Sequence, residues 1–136
     1  MDPDRALLEA ARAARERAYA PYSRFRVGAA LRTPGGRVYR GCNVENASFG
    51  LTICAERVAL QTAVAEGERA FEAVAIDAGQ AAPTPPCGAC RQVLAEFGVD
   101  LRVLLAADPP VVLRLGDLLP RSFGPGDLPP PAEARS

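Results

Sequence analysis

Thr52-Ile53-Cys54-Ala55-Glu56-Arg57 and Pro86-Cys87-Gly88-Ala89-Cys90-Arg91 are the two runs that decide how this chain is built. Each opens a helical pattern. The first spans residues 54 to about 66 and is stopped by Gly67; the second spans about 88 to 97 and is stopped by Gly98. Each helix leads into a short apolar stretch of the kind found in buried central strands, at residues 72–78 (with Ala73-Val74-Ala75-Ile76) and at 101–106. A strand–helix–strand–helix–strand middle predicts crossover connections in a mixed sheet with helices on both faces.

Further out, Asp2-Pro3 marks a helix start, with Asp as N-cap and Pro in the first turn. Ala6, Leu7, Ala10, Ala11, Ala14 and Ala18 form its apolar stripe, and Tyr19-Ala20-Pro21 ends it. From Phe25 the period becomes two. Phe25, Val27, Ala29 and Leu31 alternate with Arg26, Gly28, Ala30 and Arg32, which predicts a strand. The Thr33-Pro34-Gly35-Gly36 turn returns the chain as a second strand over 38–45, so the pair reads as a hairpin. Asn43 and Glu45 end it with their side chains on one face and Val44 on the other. Asp108-Pro109-Pro110 leaves no room for a crossover, so the last two strands, the second at 111–115, are expected to be antiparallel. The fold expected is a three-layer α/β/α arrangement on a five-stranded mixed sheet. One domain is expected over residues 1–128, followed by a Pro-rich tail at 129–136.

The charge is balanced, with 16 basic and 16 acidic residues, which gives no reason to expect a nucleic-acid or membrane partner. Every basic residue is Arg, and there is no His, so Ser-His and Cys-His catalysis within the chain are excluded and any metal must be held by Cys, Asp or Glu. The acidic opening Met1-Asp2-Pro3-Asp4 does not read as a signal peptide, and no apolar run approaches a membrane span. A reducing, cytoplasmic compartment is expected, where Cys-x-x-Cys means metal or redox chemistry more often than a disulfide.

Cys87 and Cys90, three apart at a helix start, lie on one side and can share an ion. Alone they would equally suit a redox dithiol or half of a structural zinc knuckle. Cys54 upstream supplies a third thiol, and each run presents its thiols at a helix N-terminus, which favours thiolate. Three thiolates on zinc leave the fourth position open, the catalytic rather than the closed structural arrangement. Glu56, two residues after Cys54, can then address a water at that position, although at a helix start it could also simply stabilise the dipole. Three thiolates would blunt the ion's power to acidify water. The helix N-termini and the adjacent Arg57 and Arg91 can draw charge off the sulfurs; Arg57 is expected to donate to a ligand sulfur. Cys42, the remaining cysteine, is expected to be a free buried thiol.

Cys-Ala-Glu followed by Pro-Cys-Gly-Ala-Cys-Arg-Gln is similar to the signature of zinc-dependent cytidine deaminases. The resemblance spans roughly Tyr19 to Leu128. The stretch from Ala20 to Leu31 resembles the first-strand motif of the small homotetrameric members. Gly41-Cys42-Asn43-Val44-Glu45-Asn46-Ala47-Ser48-Phe49 resembles their nucleoside-binding segment, and Leu118-Leu119-Pro120-Arg121-Ser122-Phe123 their C-terminal motif. The resemblance implies one zinc per subunit on Cys54, Cys87 and Cys90, with Glu56 as the proton carrier in converting cytidine and 2'-deoxycytidine to uridine and 2'-deoxyuridine plus ammonia, a reaction of pyrimidine salvage. It also implies that Asn43 and Glu45 hold the sugar hydroxyls and that Phe25 and Phe123 contact the base. In a homotetramer with shared sites, Phe123 and the Ala47-to-Phe49 stretch would serve a neighbouring subunit's site.

Glu45 near the sugar would repel a nucleotide, and polynucleotide deaminases place a helix between their last two sheet strands, for which there is no room here. The nearest rival is a deaminase of the blasticidin S type. A rival of another class, a structural zinc domain for protein interaction, requires a fourth protein ligand and no function for Glu56.

Overall fold

In the computed structural model, which describes residues 2–129, helix α1 (Pro3–Arg15) begins where the Asp-Pro pair predicts: the Asp2 carboxylate accepts the Asp4 amide at 3.4 Å and Pro3 occupies the first turn. Its buried line is Leu7, Ala11 and Ala14. Ala6 is exposed and Ala10 only half-buried, because a helix lying on a sheet hides a narrower stripe than the run of alanines suggested.

Strand β1 (Gly28–Arg32) is buried along its whole length. It starts later than the period-two pattern indicated. Phe25 and Val27 belong instead to a loop that curls across the end of the sheet, its backbone held mainly by the side chains of Asn43 and Glu45, with a single backbone bond from the Asn43 amide to the Val27 carbonyl. Strand β2 (Val38–Cys42) is likewise shorter than expected and ends just before Asn43, after which Val44 makes isolated bridges to Tyr19 and Ile53.

Helix α2 (Ala55–Ala65), strand β3 (Ala73–Asp77), helix α3 (Gly88–Ala95), strand β4 (Arg102–Leu105) and strand β5 (Val111–Arg114) follow in the order read from the sequence. A one-turn helix α4 (Leu115–Leu118) and 3-10 turns at Phe49–Leu51 and Pro125–Asp127 are additions too short to leave a periodic signal. The Pro-rich tail expected at 129–136 lies outside the described residues but for Pro129.

The five strands form one sheet in the order β2-β1-β3-β4-β5. β3 and β4 are parallel, and the other neighbours, including β4 and β5, are antiparallel. Alternation along β3 sorts the layers. Ala73 and Ala75 face α1 with Leu7, Ala11, Ala30 and Leu104; Val74 and Ile76 face α2 and α3 with Ala29, Leu31, Ala59 and Leu94. Two glycines let the helices lie this close. A Cβ at Gly28 would fall 1.9 Å from the Ala11 carbonyl oxygen of α1, and one at Gly41 would fall 2.4 Å from the Ala59 nitrogen of α2.

One end of the sheet is closed by ion pairs. Arg32, buried, reaches Glu72 at 2.6 Å and Asp4 at 3.1 Å, and Arg102 reaches Asp4 at 2.6 Å. The opposite end, where the C-termini of β2 and β3 meet the N-termini of α2 and α3, carries the cleft.

Candidate active site

Cys54 and Cys87 are the N-cap residues of α2 and α3, and neither thiol makes a capping bond to its helix. Their sulfurs lie 3.9 Å apart. With Cys90, in the first turn of α3, all three sulfurs fall within 4.8 Å of one another. A tetrahedral zinc ion with bonds near 2.3 Å spaces its sulfurs by about 3.8 Å, so the trio suits that ion. No fourth Cys, Asp or Glu side chain joins the cluster among the described residues. That leaves a coordination position for something other than protein, and removes what a closed structural site requires.

Glu56 follows Cys54 into the first turn of α2 and is 5% exposed. Burial, reinforced by the neighbouring Cys54 thiolate, raises its carboxyl above the usual carboxylate range. The thiols are split by their surroundings. Cys54, receiving hydrogen bonds from Cys90, Arg57 and Cys87, is held down at about 5. Cys90, donating to Cys54 and buried beside Glu56, is pushed up. A metal must displace that last proton, as thiolate sites require.

The two arginines beside the ligands do different work. Arg57 donates from Nη2 to the Cys54 sulfur at 3.4 Å, as expected, while its Nε is buried without a partner. Arg91 does not reach a sulfur. It donates from Nε to the Pro86 carbonyl and from Nη1 to the Leu118 carbonyl, each at 2.8 Å, and so ties the second cysteine run to α4.

A cleft of about 290 Å³ opens over these groups, lined by Cys54, Cys87, Glu56, Phe25, Asn43 and Glu45 among others. Asn43 is buried; its Oδ1 accepts the Val27 amide at 2.9 Å and its Nδ2 donates to the Phe25 carbonyl at 2.7 Å. Glu45 accepts the backbone amides of Tyr22 at 2.9 Å and Ser23 at 3.1 Å, and also the Ser23 hydroxyl. The Ser23 hydroxyl bond and those amides keep its carboxyl below the usual range, so it is anionic at neutral pH.

The model of the cytidine and deoxycytidylate deaminase zinc-binding region matches residues 1–106. The chain belongs to this deaminase family. It is 50% identical over 125 residues to the cytidine deaminase of Halalkalibacterium halodurans, which covers 90% of this chain and 95% of that one. It is 50% identical over 112 residues to the cytidine deaminase of Mycobacterium tuberculosis, covering 82% and 83%. The crystal structure of cytidine deaminase from Burkholderia pseudomallei superposes with a TM-score of 0.83 at 55% identity, over 88% of this chain and 98% of that one. The one from Mycobacterium tuberculosis gives a TM-score of 0.80 at 45% identity, over 88% and 96%.

As a member of this deaminase family, the chain gathers Cys54, Cys87, Cys90, Glu56, Asn43, Glu45 and Phe25 around one cleft. Three expected substrate contacts stand apart from it. Ala47 is exposed; Phe49 is 72% exposed and packs against Tyr22, with ring centres 5.6 Å apart. Phe123 is 57% exposed, its carbonyl held by Gln92 Nε2 at 2.8 Å, and it is not part of this chain's own cleft. Cys42 stays outside the sulfur cluster, half-buried, its thiol donating to the Arg17 carbonyl at 3.4 Å.

Sequence reading missed Ser23, Thr84 and Pro85 as cleft residues. The Pro-rich approach to Cys87 signalled a rigid loop, and that rigidity is what makes it usable as a wall; nothing local singled out Ser23.

Proposed function

We propose that this chain hydrolyses cytidine and 2'-deoxycytidine to uridine and 2'-deoxyuridine, releasing ammonia, as a step of pyrimidine salvage in the cytoplasm. The observation that carries the reading is a buried glutamate, its pKa raised by burial, beside three converging thiols that lack a fourth protein ligand among the described residues.

Cys54, Cys87 and Cys90 would hold zinc, which supplies the Lewis acidity that makes a water nucleophilic near neutral pH. Glu56 takes a proton from the attacking water at its carboxylate and passes it to the ring nitrogen of the base. The water oxygen adds at C4; Glu56 then carries the second proton to the departing amine. A carboxyl with an upward-shifted pKa suits this shuttle, because it must accept and release protons near the working pH. Arg57 offsets the thiolate charge through Cys54.

Asn43 and Glu45 hold the sugar. Each amide atom of Asn43 makes one internal bond, which leaves one N–H and one lone pair for a hydroxyl. Glu45 has accepted three bonds, which leaves a lone pair on Oε2. Phe25 walls the base.

The reading further assigns the deaminase unit to residues 1–128 and makes the assembly a homotetramer with one zinc per subunit. Support comes from the exposed apolar groups that serve nothing within one chain: Phe49, Leu51, Phe123 and Leu128 are all more than half exposed. Phe123 and the Ala47-to-Phe49 stretch would complete neighbouring clefts. A thiolate site needs a reducing compartment, which agrees with the cytoplasm. No helix among the described residues is long and apolar enough to cross a membrane, and the β4–β5 connection carries no helix of the polynucleotide-deaminase kind.

Adding cytidine to the purified protein and following its ultraviolet absorbance, with bound zinc measured alongside, tests the reading. Conversion to uridine with about one zinc per chain is expected. Zinc without turnover of cytidine, deoxycytidine or blasticidin S would return the chain to the structural-zinc class.

A further inference from the structure

The loop between α1 and β1 is shaped by one hydroxyl. Ser23 Oγ donates to Glu45 Oε2 and accepts the Phe25 amide at 3.0 Å. Arg24, between them, takes the left-handed conformation with φ of 60°, uncommon for a residue with a side chain, and its amide closes the turn on the Ala20 carbonyl at 3.0 Å. Asn43 then clamps the far side of the loop through Phe25 and Val27. Among the described residues, Ser23 is therefore the one side chain that joins the carboxylate of Glu45 to the backbone amide of Phe25, and it lines the cleft itself.

The lone-pair count makes this consequential. Oε1 of Glu45 is filled by two backbone amides, so any sugar hydroxyl must go to Oε2, the oxygen that Ser23 already shares. A carboxylate oxygen with one acceptor site fixed by a charge-assisted bond presents the other in a set direction. Without that bond, Glu45 keeps only its two backbone amide bonds at Oε1, and Oε2 loses the partner that fixes its direction.

We infer that Ser23 is a positioning residue for nucleoside binding: it aims Oε2 of Glu45 at the sugar and locks that carboxylate to the loop bearing Phe25. The inference rests on the reading that Glu45 accepts a sugar hydroxyl. It assigns Ser23 no contact with the reacting atoms, so its loss should act on KM more than on kcat.

The test uses the zinc-loaded protein and cytidine. Ser23→Ala is expected to raise KM about tenfold, in line with losing a hydrogen bond to a charged group, with a smaller fall in kcat. Ser23→Thr, which keeps the hydroxyl, is expected to restore the parent KM. Ser23→Cys, which keeps the shape but is only a weak donor, is expected to show the raised KM and makes the same comparison should the alanine variant misfold. In the Ser23→Ala/Glu45→Gln pair, the double variant is expected to be no worse than Glu45→Gln by more than about threefold, because both remove one coupled interaction. A parent KM in the alanine or cysteine variant, or losses that multiply in the double variant, overturns the assignment of Ser23 alone. A parent KM in Glu45→Gln removes the sugar reading first, and the role of Ser23 with it.

Discussion

At the end of the sheet where α1 begins, Arg32 and Arg102 are met by Asp4 and Glu72 in direct ion pairs, and Arg32 also bonds the Pro3 carbonyl. At the other end, Glu56 and Glu45 form no ion pair among the described residues, and three thiols crowd into one spot. There, too, Arg57 buries an Nε that bonds nothing. Both ends gather polar side chains where strands and helices terminate. They differ in whether the polar groups are matched by one another. Matched charges hold the first helix against two strands, β1 and β4. Unmatched ones are an unfavourable arrangement for an isolated chain and a useful one for a site that takes up a cation and a substrate. Removing a group at the matched end should alter stability without touching the chemistry, and removing one at the cleft should do the reverse.

The strongest break is expected at Glu56. Glu56→Gln keeps the shape and loses the proton carrier, so kcat should fall by roughly 10²–10⁴. Bound zinc should stay near one per chain, which elemental analysis of the purified variant would check. Zinc lost together with activity would instead make Glu56 part of the metal's support.

Cys90→Ala comes next. Cys90 is wholly buried, so no water-exposed group can take its place. Zinc affinity should drop by more than the ~10–100-fold seen on losing an outer partner, as measured by competition with a chelator, and activity should drop with it.

Gly28→Ala tests the packing between the two ends. The new Cβ would meet the Ala11 carbonyl at 1.9 Å and the Arg15 nitrogen at 2.4 Å, both backbone atoms that cannot swing aside. A loss of about 3 kcal/mol in denaturant unfolding is expected.

The smallest effect is at the matched end. Asp4 is held below its ordinary value of 3.8 by Arg102 and Arg32, against a partial desolvation cost. Its ionised form is thus favoured by folding. The contribution is present above the unfolded value and fades as pH falls through the lower folded one. Asp4→Asn should cost no more than about 1 kcal/mol at neutral pH, given the exposure of Arg102, and nothing once the pH lies below both values. Its KM and zinc content should match the parent. A shift in either would mean the two ends communicate.

Much of the cleft was legible because its chemistry is contiguous along the chain. Cys54 and Glu56 share one helix start, and Cys87 and Cys90 share another, so spacing alone put each pair on the same side of a tip. Strands β3 and β4 were legible for a similar reason: they are buried in the middle of the sheet, and the sequence shows it as apolar runs. The loop at 21–27 was not. Phe25 and Val27 keep a period of two, which on local grounds is a strand, yet their backbone bonds go to Asn43, far along the chain, and to the Ser23 hydroxyl. Arg91 illustrates the same limit. Its position beside a ligand suggested a sulfur partner, while the fold offered two carbonyls instead.

The sequence by itself determined the thiol and carboxylate chemistry, the order of helices and strands and the antiparallel last pair, since each depends on residue type and on spacing within a single element. Only the tertiary structure decided that the three sulfurs meet without a fourth ligand among the described residues, that Arg57 serves the cluster while Arg91 serves its loop, and that Ser23 joins Glu45 to Phe25. Those are encounters between segments brought together by the sheet, and no periodicity along a chain encodes which side chains will meet across it.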